Sequence, residues 1–256
     1  MYQREGKNSA TMKTTIVFLS MMVAIMAVDL PNGFKICKLS DPDIIKCLSE
    51  AITIALSVLI NGDSALKILP IEPLTIDYMR INSSGPVSLI QEYRNMKIHG
   101  MAKNVQVFAK NFDVNTFALF LEAFNPQLNI TCDYEFNGRI LLLPLQGKGK
   151  GKMTLYNTTM TIDVEYERYE RHGESYLKLK KLNFYIKDTD IKVYFENLFG
   201  KDSNLGEEMN RLLNENAKII FKEIKPAYEE LIKQVIVELA DKIYSNFPIK
   251  KLLPPV

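Results

Sequence analysis

Apolar and polar positions near the C-terminus draw one helical stripe. Leu205, Met209, Leu212, Leu213, Ala217, Ile220, Ile224, Tyr228, Leu231, Val235, Leu239 and Ile243 recur in steps of three and four. That spacing keeps them on one face of a 3.6-residue helix over residues 204–247. Charged residues from Glu207 to Asp241 fill the other face. Asn204 with Glu207 resembles a capping box, and Pro248 marks the stop. Such a helix would run roughly 60 Å. Pro226 removes one backbone donor and crowds the carbonyl of Lys222, so the pattern predicts a kink there or two abutting helices.

A second helix is predicted over residues 41–60, capped by Ser40 or Asp41, with Pro42 near its first turn. It is apolar over much of its circumference, which suits a buried helix or one facing an apolar ligand. Between the two helices the period changes to two. Strands are predicted over residues 74–81, 86–109, 116–124, 128–136, 139–145, 150–157, 159–168, 175–187 and 191–195. Asn137-Gly138 reads as a hairpin turn and Arg171-His172-Gly173 as another. An irregularity near Leu182 is needed to keep Leu177, Leu179, Phe184 and Ile186 on one face. Connections are short, so the sheet is antiparallel. One-sided strands must bury a face, and there are too few helices to cover a flat sheet. The fold class is therefore α+β: a strongly curved antiparallel sheet wrapped around a long C-terminal helix, with an N-terminal helix beside it.

The first residues carry an address. Residues 16–28 are uncharged and follow Lys13, too short for a bilayer span and suited to a signal peptide. Residues 1–27 are read as a cleaved signal peptide, with an uncleaved anchor as the alternative, and residues 28–256 as one ligand-binding domain. Secretion gives meaning to Cys37 and Cys47, which stand close enough for a short-loop disulfide. Cys132 alternates with Ile130, Tyr134 and Phe136 and reads as a small buried residue. Sequons begin at Asn82, Asn129 and Asn157, and a glycan on Asn129 would point outward. The chain has 32 basic and 30 acidic residues, and without residues 1–27 the two signs balance. That leaves little field to steer it to nucleic acid or an anionic membrane. No stable membrane insertion is expected of the domain.

The order of several short segments resembles the insect takeout and haemolymph juvenile-hormone-binding family. They are the paired Cys37 and Cys47, Ile71-Glu72-Pro73-Leu74 and Tyr134-Glu135-Phe136-Asn137-Gly138. Leu143-Pro144-Leu145-Gln146-Gly147-Lys148-Gly149, Glu196-Asn197-Leu198-Phe199-Gly200 and Leu213-Asn214-Glu215-Asn216 follow. The resemblance covers essentially all of residues 28–256. It implies a tubular roll similar to lipid-binding modules of the bactericidal/permeability-increasing type, with a tunnel for elongated apolar ligands. Where the family commonly carries Trp after the last segment, this chain has Ala217 and no Trp at all. A lost ring either widens the cavity or is replaced by a neighbour. The single cysteine pair and spare Cys132 look more like takeout members than like the hormone carriers with a second bridge.

Ligand capture needs an apolar cavity with few polar anchors. From the strands, the wall candidates are Phe108, Phe120, Cys132, Tyr134, Phe136, Ile140 and Leu142, then Ile162, Val164, Phe184 and Ile186. The first helix offers Ile52, Leu56 and Leu59, and the last offers Ile220, Ile224 and Leu231. Each has plain core packing as its alternative. The Tyr134 hydroxyl is the candidate anchor for an oxygenated ligand. The run Gly147-Lys148-Gly149-Lys150-Gly151-Lys152 is no P-loop; it reads as a glycine face for close packing or a tunnel wall, or else a small basic patch. No catalytic residues are assigned: His99 and His172 are the only histidines, and the common hydrolase and metalloprotease motifs are absent. Three cysteines and two histidines show no metal-ligand spacing, and no cofactor is implied. The expected function is a secreted, extracellular carrier in haemolymph or a similar fluid. Its partner is a juvenile-hormone-like terpenoid, a fatty acid or a related lipid. The alternative is a secreted signalling protein of the same fold, in circadian, feeding or chemosensory regulation, that docks a receptor or carrier protein.

Overall fold

The computed structural model describes residues 29–84, 87–140, 142–200 and 203–255, so the leader expected over residues 1–27 lies outside it, as does Pro86. Helix α1 (Ile44–Val58) comes first, closed by a short 3-10 turn over Leu59–Asn61. Six strands follow: β1 (Leu74–Asn82), β2 (Val87–His99), β3 (Gln106–Asp113), β4 (Ala118–Ile140), β5 (Leu143–Arg171) and β6 (Glu174–Phe195). Helices α2 (Ser203–Glu215), α3 (Ala217–Tyr244) and α4 (Ile249–Leu252) end the chain. The sheet order is β1-β2-β4-β5-β6, all antiparallel and open. Strand β3 pairs with the first half of β4, beyond the end of β2. Thus β2 and β3 act as one long strand interrupted at residues 100–105, where the sequence pattern predicts continuity over 86–109. Ile224, Tyr228 and Ile232 of α3 join the same buried core as the inner faces of the strands, which puts the helix on the concave side.

The long strands correct the predicted breaks. β4 passes through Asn137-Gly138 and reverses only after Ile140, which pairs with Leu143. Gly138 serves a close approach instead: a Cβ there would lie 2.3 Å from the Ser88 carbonyl. The turn at His172-Gly173 is as expected, with φ of 52° and 76°, the left-handed pair of a type I′ hairpin. The irregularity expected near Leu182 sits at Lys180, where pairing shifts between Glu165 and Tyr166.

Three other predicted breaks are phase changes within continuous strands. On β4, Asn125 and Leu128 both point inward around Pro126, and on β5, Leu155 and Thr158 do so around Asn157, whose φ is 51°. On β6, Ile186 and Thr189 are both buried, where pairing with β5 is irregular. With the interruption at residues 100–105, these changes fall at one level across the sheet. Polar side chains join that level: Asn125 Nδ2 donates to the Gly100 carbonyl (2.6 Å), and the Thr158 and Thr189 hydroxyls are 2.9 Å apart.

The terminal stripe is two helices, but the division comes at Asn216 and not at Pro226. Asn216 leaves helical dihedrals (φ −109°, ψ 13°), and its Nδ2 donates to the Leu212 carbonyl at 2.9 Å. Such local side-chain bonding competes with a continuing helix. Helix α3 runs through Pro226. Asn204 lies inside α2 rather than at its cap. At the other end, Asp41 Oδ1 accepts the Asp43 N–H (2.8 Å) just before α1. Cys37 and Cys47 form a disulfide that ties the N-terminal segment to α1.

Helical side chains close two free sheet edges. Asn210 Oδ1 accepts the Phe195 N–H (2.8 Å) and its Nδ2 donates to the Phe195 carbonyl (2.9 Å). Asn214 does the same for Val193, at 2.9 and 2.8 Å. Farther along, Glu229 accepts the Ile186 N–H (2.8 Å) and Lys225 donates to its carbonyl (3.0 Å). On β3, Ser49 and Thr53 of α1 accept the N–H groups of Ala109 (2.8 Å) and Val107 (3.3 Å). The spacing is i,i+4 on helix and two on strand. Four helical residues rise ~6.0 Å and two strand residues ~6.6 Å, so the two ladders stay in step.

Asn210 is buried and serves both polar groups of one strand residue. We expect Asn210→Ala to lower stability by about 3 kcal/mol, because two edge groups lose their partners. The more exposed Asn214→Ala should cost about 1 kcal/mol. Urea unfolding checks both, and equal costs would show that burial does not set the difference.

Candidate functional site

The concave interior is not filled. A cavity of about 330 Å³ lies between α1, the first half of β4, the second half of β5 and the C-terminal half of α3. A smaller one, about 90 Å³, lies between β2, the second half of β4, the middle of β5, β6 and the first half of α3. Met101, Met160, Phe184 and Ile232 line both, so these four side chains form the wall between them. The wall stands at the level where the strands change phase. Two of its members are unbranched methionines, whose side chains adapt shape readily.

Small inward residues make the room. Val107 and Ala123 line the larger cavity, while the bulkier Phe108 and Phe120 lie on the opposite faces of their strands. Both phenylalanines were expected on the wall. The interruption after Gly100 sets the phase of β3, so Val107 points in and Phe108 out. On β4, Leu119, Leu121 and Ala123 take the inner face, leaving Phe120 half-buried on the outer one. Leu142, also expected on the wall, is 93% exposed at the β4–β5 reversal.

Of the other expected residues, Ile52, Leu56, Leu59, Ile162 and Val164 line the larger cavity. Phe136, Ile140, Ile186, Ile220 and Ile224 line the smaller, and Phe184 lines both. Only Cys47 and Leu48 of α1 are fully buried, and its inner face instead forms cavity wall. Ala217 also lines the smaller cavity, so the missing indole is not replaced there by protein. Leu231 packs on the core without lining either cavity; Ile232 takes that place.

Cys132 and Tyr134 are buried but line neither cavity. Burial pushes the Cys132 thiol up to about 12, which leaves it protonated and inert. The Tyr134 hydroxyl donates to the Glu196 carbonyl, and burial pushes it up to about 12 as well. The expected anchor is thus committed to the protein. Its ring packs with Phe136 (4.6 Å) and Phe195 (4.9 Å), both of which line the smaller cavity.

The glycine run explains this arrangement. Its lysines are exposed, and Lys150 is paired with Asp133. A Cβ on Gly147, Gly149 or Gly151 would lie within 2.9 Å of the segment 195–197. The glycine face therefore admits that segment, and none of the three glycines lines either cavity.

Polar lining is sparse and was missed by the sequence pattern. On β2, Gln91 and Tyr93 both face the smaller cavity, and Tyr93 donates to Gln91 Oε1 at 2.8 Å. Tyr228 of α3 lies against the Tyr93 hydroxyl, and burial raises both hydroxyls well above the ordinary tyrosine range. The alternation Val87, Leu89, Gln91, Tyr93 contained this signal, because it sets one glutamine on an apolar face. Among the described residues no charged one lines the smaller cavity; Lys35 alone does so in the larger, and it pairs with Glu50. Among the described residues no cluster suits a metal ion. Glu72 is occupied by the backbone N–H groups of Gly100 and Ala102, with His99 at 3.9 Å. His172 sits in the β5–β6 turn.

All three sequon asparagines lie away from the cavities. Asn82 and Asn157 are exposed, and Asn129 is half-buried, its Oδ1 accepting from Gln127 (3.0 Å) and Thr154 (3.3 Å).

Comparison with known proteins gives consistent results. Residues 15–254 match the family model for haemolymph juvenile hormone binding protein. A protein named circadian clock-controlled protein daywake, from Drosophila melanogaster, is 23% identical over 227 residues, covering 85% of this chain and 86% of its own. Its counterpart from Drosophila yakuba is 22% identical over the same span. The crystal structure of Takeout 1 from Epiphyas postvittana superposes with a TM-score of 0.75 at 24% identity, covering 86% of this chain and 99% of that one.

Because Tyr134 serves the Glu196 carbonyl, Tyr134→Phe should act on stability. We expect a loss of about 1 kcal/mol in urea unfolding, with unchanged uptake of an oxygenated probe. Weaker probe binding at unchanged stability would return the hydroxyl to the ligand site.

Proposed function

Since the chain belongs to the haemolymph juvenile hormone binding protein family, we propose that it is a secreted carrier that holds an elongated hydrophobic molecule without chemistry. The observation that carries this reading is the pair of apolar cavities sharing one wall of four side chains. Protein interiors are close-packed, with few voids larger than a water molecule. An empty volume of 330 Å³ would cost about 8 kcal/mol at the ~24 cal/mol per Å³ measured for core cavities. A ligand offsets that cost. Burying ~300 Å² of apolar ligand surface at ~25 cal/mol per Å² contributes roughly 7 kcal/mol before ordering losses, enough for reversible transport.

The ligand class is a terpenoid, a fatty acid or a related lipid. Its chain would lie along α3, passing the adaptable Met101 and Met160 from one cavity to the other. Glycans on Asn82, Asn129 or Asn157 would leave that interior untouched. In this reading the protein needs no catalytic group.

Organic extraction of protein purified from its own source, followed by mass spectrometry, should release a stoichiometric apolar compound. If none is released, and the purified protein also fails to bind a fluorescent fatty-acid or terpenoid probe, the carrier reading is wrong. Ala217→Trp should return an indole to the smaller cavity. Among hydrocarbon probes, we expect it to weaken the longest about tenfold through lost apolar burial, and to leave short ones, which fit in the larger cavity, unaffected. Unchanged binding of the longest probes would mean that long ligands do not enter the smaller cavity.

A further inference from the structure

We infer that the smaller cavity receives the neutral, oxygen-bearing end of the ligand, and that the Gln91 side-chain amide holds it. This rests on the carrier reading and adds an orientation and a head-group class. Gln91 is 3% exposed and lines the cavity. Its Oε1 is occupied by the Tyr93 hydroxyl, which orients the amide. Its Nε2 has no partner, and among the described residues it is the one buried side-chain nitrogen or oxygen in that condition. Buried donors without acceptors are costly and rare in native proteins.

Other buried polar groups in the tunnel show that the gap is local. Asn125 is bonded to Gly100 and to the Gln127 N–H, and Thr158 to Thr189. Tyr228 reaches toward Met153 Sδ (3.8 Å) and Tyr93. Gln91 Nε2 therefore presents hydrogen to a void whose other walls are almost wholly apolar.

The chemistry of that donor selects its acceptor. A ketone, ester, quinone or epoxide oxygen can accept from a neutral amide. An ionised carboxylate would enter a cavity without a counter-charge, which is strongly unfavourable. A plain hydrocarbon would leave the amide unmet. The small volume, about 90 Å³, suits a short head group. The apolar tail then extends past Met160 and Phe184 into the larger cavity.

The test compares a long-chain methyl ketone, the alkane of equal length and the matching carboxylate. Each competes with N-phenylnaphthylamine on the wild type and on Gln91→Met, which keeps shape and removes the donor. The wild type should prefer the ketone to the alkane by about tenfold, the scale of one net hydrogen bond. In Gln91→Met that preference should fall to about twofold or less. Absence of the ketone preference in the wild type overturns the inference, as does its persistence in Gln91→Met; in either case binding of the alkane leaves the carrier reading standing. Failure of the probe and all three compounds to bind removes both readings. Should Gln91→Met not fold, the carbonyl stretch of isotope-labelled ketone bound to the wild type decides. A frequency below that in hexane supports the hydrogen bond, and an equal frequency rejects it.

Discussion

The fold depends on how helices satisfy the free edges of a curved sheet. An open sheet leaves backbone groups unpaired at its margins, and buried ones must find partners. Here Asn210 and Asn214 hold the end of β6, Lys225 and Glu229 hold Ile186, and Ser49 and Thr53 hold β3. Apolar packing alone is non-directional and would let a helix sink until the interior closed. Directional bonds at the sheet margins fix α1 and α3 at a set distance, and the space between them stays open.

That space is shaped by a shared change of phase. Period-two alternation assigns each strand one inner face, and one extra residue exchanges the faces. Four stretches of chain make the change at one level, near Met101, Asn125, Thr158 and Thr189. The same sheet therefore walls two chambers, and the side chains at the junction separate them. In the sequence, three of these changes appear as breaks between predicted strands, because a broken alternation looks the same whether the strand stops or bulges. The fourth, after Gly100, falls inside a predicted strand, and Phe108 was set on the wrong face as a result.

The glycine run shows a related ambiguity. Alternate glycines mark a face approached closely by something else. The identity of the approaching group is a long-range fact. Residues 195–197 cross over that face, accept the Tyr134 hydroxyl through Glu196, and remove it from the binding site. Nothing local to Tyr134 reveals that its hydroxyl is already occupied.

The sequence by itself determined the α+β class, the one-sided strands, the two terminal stripes, the disulfide pair and the inward course of residues such as Ile162, Val164, Ile220 and Ile224. These follow from period and residue chemistry, which are local. Only the tertiary structure decided that the terminal helix divides at Asn216, that Phe120 turns outward while Ala123 turns in, and that Gln91 reaches an apolar void with one donor free. The last two depend on which groups meet across the sheet, and a local pattern carries no information about a partner forty or a hundred residues away; the first turns on Asn216 bonding back to the Leu212 carbonyl, which the apolar stripe does not record.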